Sequence, residues 1–83
     1  MQFFYTRHQT PRGARADAET ENRIYLIKYA SHLRLTYQIR MLTYMARTRQ
    51  KKLIIRLPEG TRIHESLRDF IHDNSELVSF GRT

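Results

Sequence analysis

Five cations and no carboxylate fall within the thirteen residues "RMLTYMARTRQKK", where Arg40, Arg47, Arg49, Lys51 and Lys52 surround a tyrosine, Tyr44, set between two methionines. Guanidinium and ammonium groups neutralise phosphates, and an aromatic face stacks on an unpaired base. With Arg34 added, the candidate binding set is Arg34, Arg40, Tyr44, Arg47, Arg49, Lys51 and Lys52. Its expected partner is DNA or RNA, with an acidic protein surface as the alternative. A plainer account competes with both. Tyrosines of small domains often cap the core, arginine stems cover apolar surface, and cations gather at helix C-termini because the dipole favours them there.

Other chemistry has less support. Glu65, Asp69 and His72 recur at helical spacing with His64 and Asp73 nearby, a set that suits several metals. The same spacing describes any solvated helix face, and Arg68 in the same turn opposes a cation, so neither a metal nor a cofactor is expected. His32 stands alone in an apolar context and reads as a packed or rim residue. Gly13, Gly60 and Gly81 are isolated, so no glycine-rich phosphate loop exists, and neither G-x-S-x-G nor H-E-x-x-H occurs. "PEG" at 58–60 is where α/β folds bind ligands, but Glu59 would repel an anion there, and it reads as a turn. No enzymatic activity is expected.

The cations are unevenly placed. Residues 22–58 hold Arg23, Lys28, Arg34, Arg40, Arg47, Arg49, Lys51, Lys52 and Arg56 and no acid, although the 83-residue chain has eight acids and a net charge of +7. A basic block with acidic flanks implies a one-sided field that draws anions. A chain this short makes one domain with a thin core, so a homodimer or a docked partner is among the expected forms. There is no cysteine, which excludes disulfides and thiolate metal sites. "MQFFYTRHQTPRGA" is too short in its apolar run for a signal peptide, and no stretch nears the ~20 residues that span a bilayer. A soluble, cytoplasmic protein with no membrane partner is expected.

These residues need elements to position them. "KLIIRL" reads as a strand ended by "PEG", and "TRIHESLRDFIHDN" places Ile63, Leu67, Phe70 and Ile71 on one helical stripe. Thr61 would cap that helix, and Asn74 would end it in the left-handed conformation. "LVSF" follows as a strand. The expected fold is therefore a small two-layer α/β domain. Its C-terminal parallel βαβ unit comprises a strand about 53–57, a helix about 63–73 and a strand about 77–80, preceded by a basic helix about 37–50. "RIYLIKY" suits a strand near 23–29. One long helix over 18–50 is the rival reading, since no glycine or proline interrupts Asp17 to Leu57. At the N-terminus, "QFFYT" suits an edge strand, and residues 7–21 suit a flexible arm or loop. Arg7, His8, Arg12 and Arg15 would let such an arm enter a groove, though its own acids favour a simple solvated tail.

The function expected from these features is that of a small regulatory or accessory protein binding nucleic acid through a basic, tyrosine-containing surface. An adaptor or inhibitor docking on an acidic protein surface, and a structural subunit of a larger assembly, are the alternatives.

Overall fold

Alternation in "KLIIRL" decides the architecture. In the computed structural model, which describes residues 15–82, Leu53, Ile55 and Leu57 are fully buried while Lys52 and Arg56 are exposed. This strand, β4 (Lys52–Leu57), lies at the centre of a four-stranded sheet. On one side it pairs in parallel with β2 (Arg23–Ile27), and on the other with β6 (Val78–Arg82). A two-residue strand, β1 (Ala18–Glu19), adds to the outer edge of β2 in antiparallel fashion, giving the order β1-β2-β4-β6. Helix α1 (Tyr37–Thr48) connects β2 to β4, and α2 (Glu65–Asp73) connects β4 to β6.

The chain is thus two successive βαβ units sharing β4. The C-terminal unit lies roughly where the sequence places it, except that its helix begins at Glu65, and Ile63, expected on the helical stripe, is in an extended segment before it. The 18–50 region holds short strands and a helix, not one long helix. Parallel partners share a face, so Ile24, Leu26, Leu53, Ile55, Leu57 and Val78 all point one way. They form a single core with Ile39, Leu42, Met45 and Ala46 of α1 and Leu67 of α2. Both helices therefore cover one face of the sheet.

A shorter ladder continues the same two chain paths. β3 (His32–Leu33) follows β2 and β5 (Arg62–Ile63) follows β4, and the two pair in parallel. Thr61 joins the paths: its buried hydroxyl donates to the Ala30 carbonyl at 2.6 Å. That role corrects the expectation that Thr61 caps α2. The cap is His64, whose Nδ1 accepts from the Ser66 N–H at 3.0 Å. Asn74 is likewise corrected. Its φ of −121° is not left-handed, and its amide donates to the Phe70 carbonyl.

The left-handed residue is Gln50, at φ 57°. It follows the C-cap of α1, with Gln50 N–H donating to the Arg47 carbonyl at 3.3 Å and Lys51 N–H to the Ala46 carbonyl at 2.7 Å. Those two bonds make a Schellman motif, whose left-handed position is usually glycine. At the other end of α1, Thr36 is the cap, its hydroxyl accepting from the Ile39 N–H.

Of the residues expected as an arm or loop, 7–14 lie outside the described part, as does "QFFYT". Ala18–Glu19 form β1 where a loop was expected. The side-chain partners that hold it there are polar: the Asp17 carboxylate accepts from the Ile27 N–H at 2.7 Å, and Glu19 is bound by two cations. Polarity made the segment look loose; those bonds are its anchor.

Candidate functional site

The face of the sheet opposite the helices carries the residues left over by the pleat. From the pairing register it presents Arg23, Tyr25 and Ile27 of β2, Lys52, Ile54 and Arg56 of β4, and Ser79 and Gly81 of β6. Ala18 of β1 lies beside Tyr25. None of these positions is a carboxylate. Among the described residues no helix or strand packs over this face. At about 4.8 Å between strands, four strands make a surface about 14 Å across.

Its geometry is a band with charged borders. Ala18, Tyr25, Ile54 and Ser79 cross the sheet in register, with Tyr25 and Ile54 half-buried. Arg23 and Lys52 are paired on one side of the band, and Arg56 stands on the other. The Arg23 guanidinium reaches the Tyr25 hydroxyl at 3.4 Å. Arg56 extends over β6, where its Nη1 would lie 3.4 Å from a Cβ on Gly81. A Cβ at position 81 would meet this guanidinium in ordinary van der Waals contact.

The seven candidate residues from the sequence divide among four places. Lys52 is on the uncovered sheet face. Arg40, Tyr44 and Arg47 stay together on the outer side of α1, around a 220 Å³ depression shared with Phe70 and Asn74 of α2. Tyr44 is 56% exposed, so it is not a core residue. The Arg47 guanidinium donates to the Asn74 side-chain oxygen at 3.1 Å. Arg34 lies beyond β3. Arg49 and Lys51 turn toward β1, where Glu19 binds them at 2.8 and 2.5 Å.

That Glu19 cluster has its own electrostatics. Partial burial pushes the Glu19 carboxyl upward, but hydrogen bonds from Lys51 and Arg49, with the charges of both, outweigh it and hold the group below its ordinary value of 4.5. Two of the six candidate cations are thereby committed to the fold.

The helix layer is electrically mixed. Arg40 and Arg47 on α1 stand beside an α2 that bears Glu65, Asp69 and Asp73 against the single cation Arg68. The sheet face carries no acid at its strand positions, and Arg23, Tyr25 and Arg56 were absent from the sequence-level set. A signal for them existed. Arg23, Tyr25 and Ile27 alternate with Ile24 and Leu26, as do Lys52, Ile54 and Arg56 with Leu53, Ile55 and Leu57. What the sequence lacked was the parallel register that brings the two polar sets side by side.

Elsewhere, the "PEG" turn has its carbonyls engaged. Arg82 donates from Nη1 to Pro58 and Glu59 at 2.9 and 3.0 Å, and to Thr61 at 2.6 Å. Among the described residues no three His, Asp or Glu side chains are grouped to hold a metal ion, and no helix is long and apolar enough to cross a membrane. No protein-family model matches the chain, and no characterised protein or solved structure gives a significant match.

Proposed function

We propose that the protein is a non-enzymatic nucleic-acid-binding protein that uses the uncovered sheet face, with single-stranded RNA or DNA as its ligand. One observation carries the reading: Arg23, Lys52 and Arg56 border a band holding Tyr25 on a face whose strand positions carry no carboxylate, in a molecule with eight acids. Cations on both sides of the band neutralise the backbone while the ring and Ile54 take the bases. A flat sheet admits splayed bases more readily than a duplex, and a surface of this width accommodates about two or three of them.

The test is binding of fluorescent single-stranded and duplex oligonucleotides as salt is raised. Log affinity should fall with log salt by about 0.7 per single-strand phosphate contact. Arg23→Gln, Lys52→Gln and Arg56→Gln together should flatten that slope by up to about 2 units. Absence of binding at low salt to either form, by a protein that melts cooperatively, overturns the proposal.

A second reading, docking on another protein, is favoured by the outer side of α1. Tyr37 and Tyr44 are more than half exposed there, beside acids and arginines alike. Such mixed surfaces suit a protein better than a polyanion.

A further inference from the structure

The short β3–β5 ladder carries a second concentration of cations, separate from the sheet face. His32 pairs with Arg62 and Leu33 with Ile63, so the pleat places His32 and Arg62 on one face and Leu33 and Ile63 on the other. One residue further along each path, Arg34 and His64 return to the first face; all four are exposed, whereas Leu33 is buried. The four Cα positions therefore mark a patch about 4.8 Å by about 6.6 Å. These six residues, Leu33 and Ile63 among them, line a groove of 470 Å³ whose walls are mostly apolar, within the usual size range for a small-molecule site. No carboxylate lines it, although Glu65 follows His64 in the chain, and among the described residues neither Arg34 nor Arg62 has an ion-pair partner.

Two further features give this groove a sign and a donor pattern. The Ser66 N–H donates to His64 Nδ1, so that nitrogen is unprotonated and the ring's proton sits on Nε2, a donor the cap does not use. Both helices also begin here. Thr36 caps α1 two residues after Arg34, His64 caps α2, and the Leu35 N–H donates to the Ser66 hydroxyl at 3.1 Å, joining the two starts. Their positive dipole ends face the same end of the sheet, the end at which open α/β sheets bind ligands.

We propose that this groove binds a phosphate monoester, with Arg34 and Arg62 as the charged donors and His64 Nε2–H as a neutral one. Arginine forks match phosphate oxygens in pairs, and two arginines on one patch suit a dianion better than a bridging diester. The inference is independent of nucleic-acid binding on the sheet face. Its ligand is either a small phosphorylated molecule or the terminal phosphate of a strand, since both present the same group.

The experiment is a two-dimensional NMR titration of the protein with inorganic phosphate and with adenosine 5′-monophosphate, at constant ionic strength against chloride. Saturable shifts confined to residues 31–36 and 61–66 are expected. Arg62→Gln and Arg34→Gln should each weaken binding about tenfold, whereas Arg40→Gln, an equal loss of charge on α1, should leave it unchanged. Arg56→Gln on the sheet face should also leave it unchanged, which keeps failure here distinguishable from failure of the sheet-face reading. A trinucleotide with a 5′-phosphate that outbinds its 5′-hydroxyl form, by a factor abolished in Arg62→Gln, assigns the group to a strand end. Equal binding of the trinucleotide and the mononucleotide assigns it to a small molecule. Linear, unsaturable shifts, or equal losses in Arg40→Gln and Arg62→Gln, overturn the site.

Discussion

Lys51 and Lys52 are neighbours in the chain and opposites in the fold. Lys51 turns toward the helix side and is bound by Glu19, while Lys52 opens β4 on the uncovered face beside Arg23. The difference extends to their surroundings. On Lys51's side the cations Arg49 and Lys51 meet an acid that β1 delivers; on Lys52's side no strand position supplies one. Net charge therefore describes the surface poorly. A strand's alternation and the position of a single carboxylate decide which cations remain available to a ligand and which become part of the fold.

The two faces of β4 should differ most in what they contribute to stability. Ile55 is fully buried beneath the helices, and Ile54, its neighbour on the open face, is only half-buried. Ile55→Ala should cost about 2–5 kcal/mol, a large share of the stability of so small a domain. Ile54→Ala should cost less, about 1–2 kcal/mol, since part of its side chain already meets water. Urea midpoints of the two variants check this directly. Equal losses would mean that something covers the open face, and the proposed binding surface would go with it.

Next in size is the contrast between two tyrosines. Tyr25→Ala should weaken binding of a single strand by about 1–3 kcal/mol, with Tyr25→Phe nearly neutral, because stacking uses the ring and not the hydroxyl. Tyr44→Ala should leave it within a few tenths of a kcal/mol. Tyr44 is more than half exposed, so its removal should leave the fold intact and the comparison clean. If Tyr44→Ala costs the affinity and Tyr25→Ala does not, the binding surface is the outer side of α1.

That Tyr44 was the natural choice from sequence alone shows what was legible and what was not. Helix α1, β4, α2 and β6 were readable because their apolar periodicity is strong: Ile39, Leu42 and Ala46 on one helix, Leu53, Ile55 and Leu57 on one strand. The tight cluster of Arg40, Tyr44 and Arg47 also followed, since helical spacing alone brings them together. β1, β3 and β5 are two residues long and leave no periodic trace. The division of the basic set was equally hidden, because Arg49 and Lys51 find their acid some thirty residues away in a segment with almost no large apolar side chain. His64 as a cap was missed for a simpler reason: imidazole is an uncommon capping group, and Thr61 stood close by as a common one.

Gln50 makes the turn that separates the two lysine environments. Its left-handed backbone costs a side-chain-bearing residue roughly 1–2 kcal/mol, which glycine does not incur. Some of the gain is lost to the greater freedom of glycine in the unfolded chain, so Gln50→Gly should raise stability by about 0.5–1 kcal/mol. A thermal scan reads this as a modest rise in Tm with oligonucleotide affinity unchanged. A fall in stability would mean that the Schellman turn does not form and that β4 begins in a different register. Lys51 and Lys52 would then exchange faces.

The smallest expected effect tests the comparison most directly. Glu19 is held below its ordinary carboxyl value, so its ion pairs stabilise the fold above pH 4.5, and that contribution disappears as pH falls through the lower folded value. With its side chain 31% exposed, the pairs are worth less than about 1 kcal/mol at neutral pH. Glu19→Gln should therefore lower the urea midpoint slightly at pH 7, and the gap from the parent protein should close toward pH 3. The same variant reports on binding, because it removes the charge that neutralises Arg49 and Lys51. Should the sheet face alone hold the strand, Glu19→Gln will raise oligonucleotide affinity no more than Glu76→Gln, an equal charge change outside β1. If Glu19→Gln gains clearly more, Arg49 and Lys51 contribute to the contact surface. The boundary between the fold's own cations and the ligand's would then lie at Glu19, not at the pleat of β4.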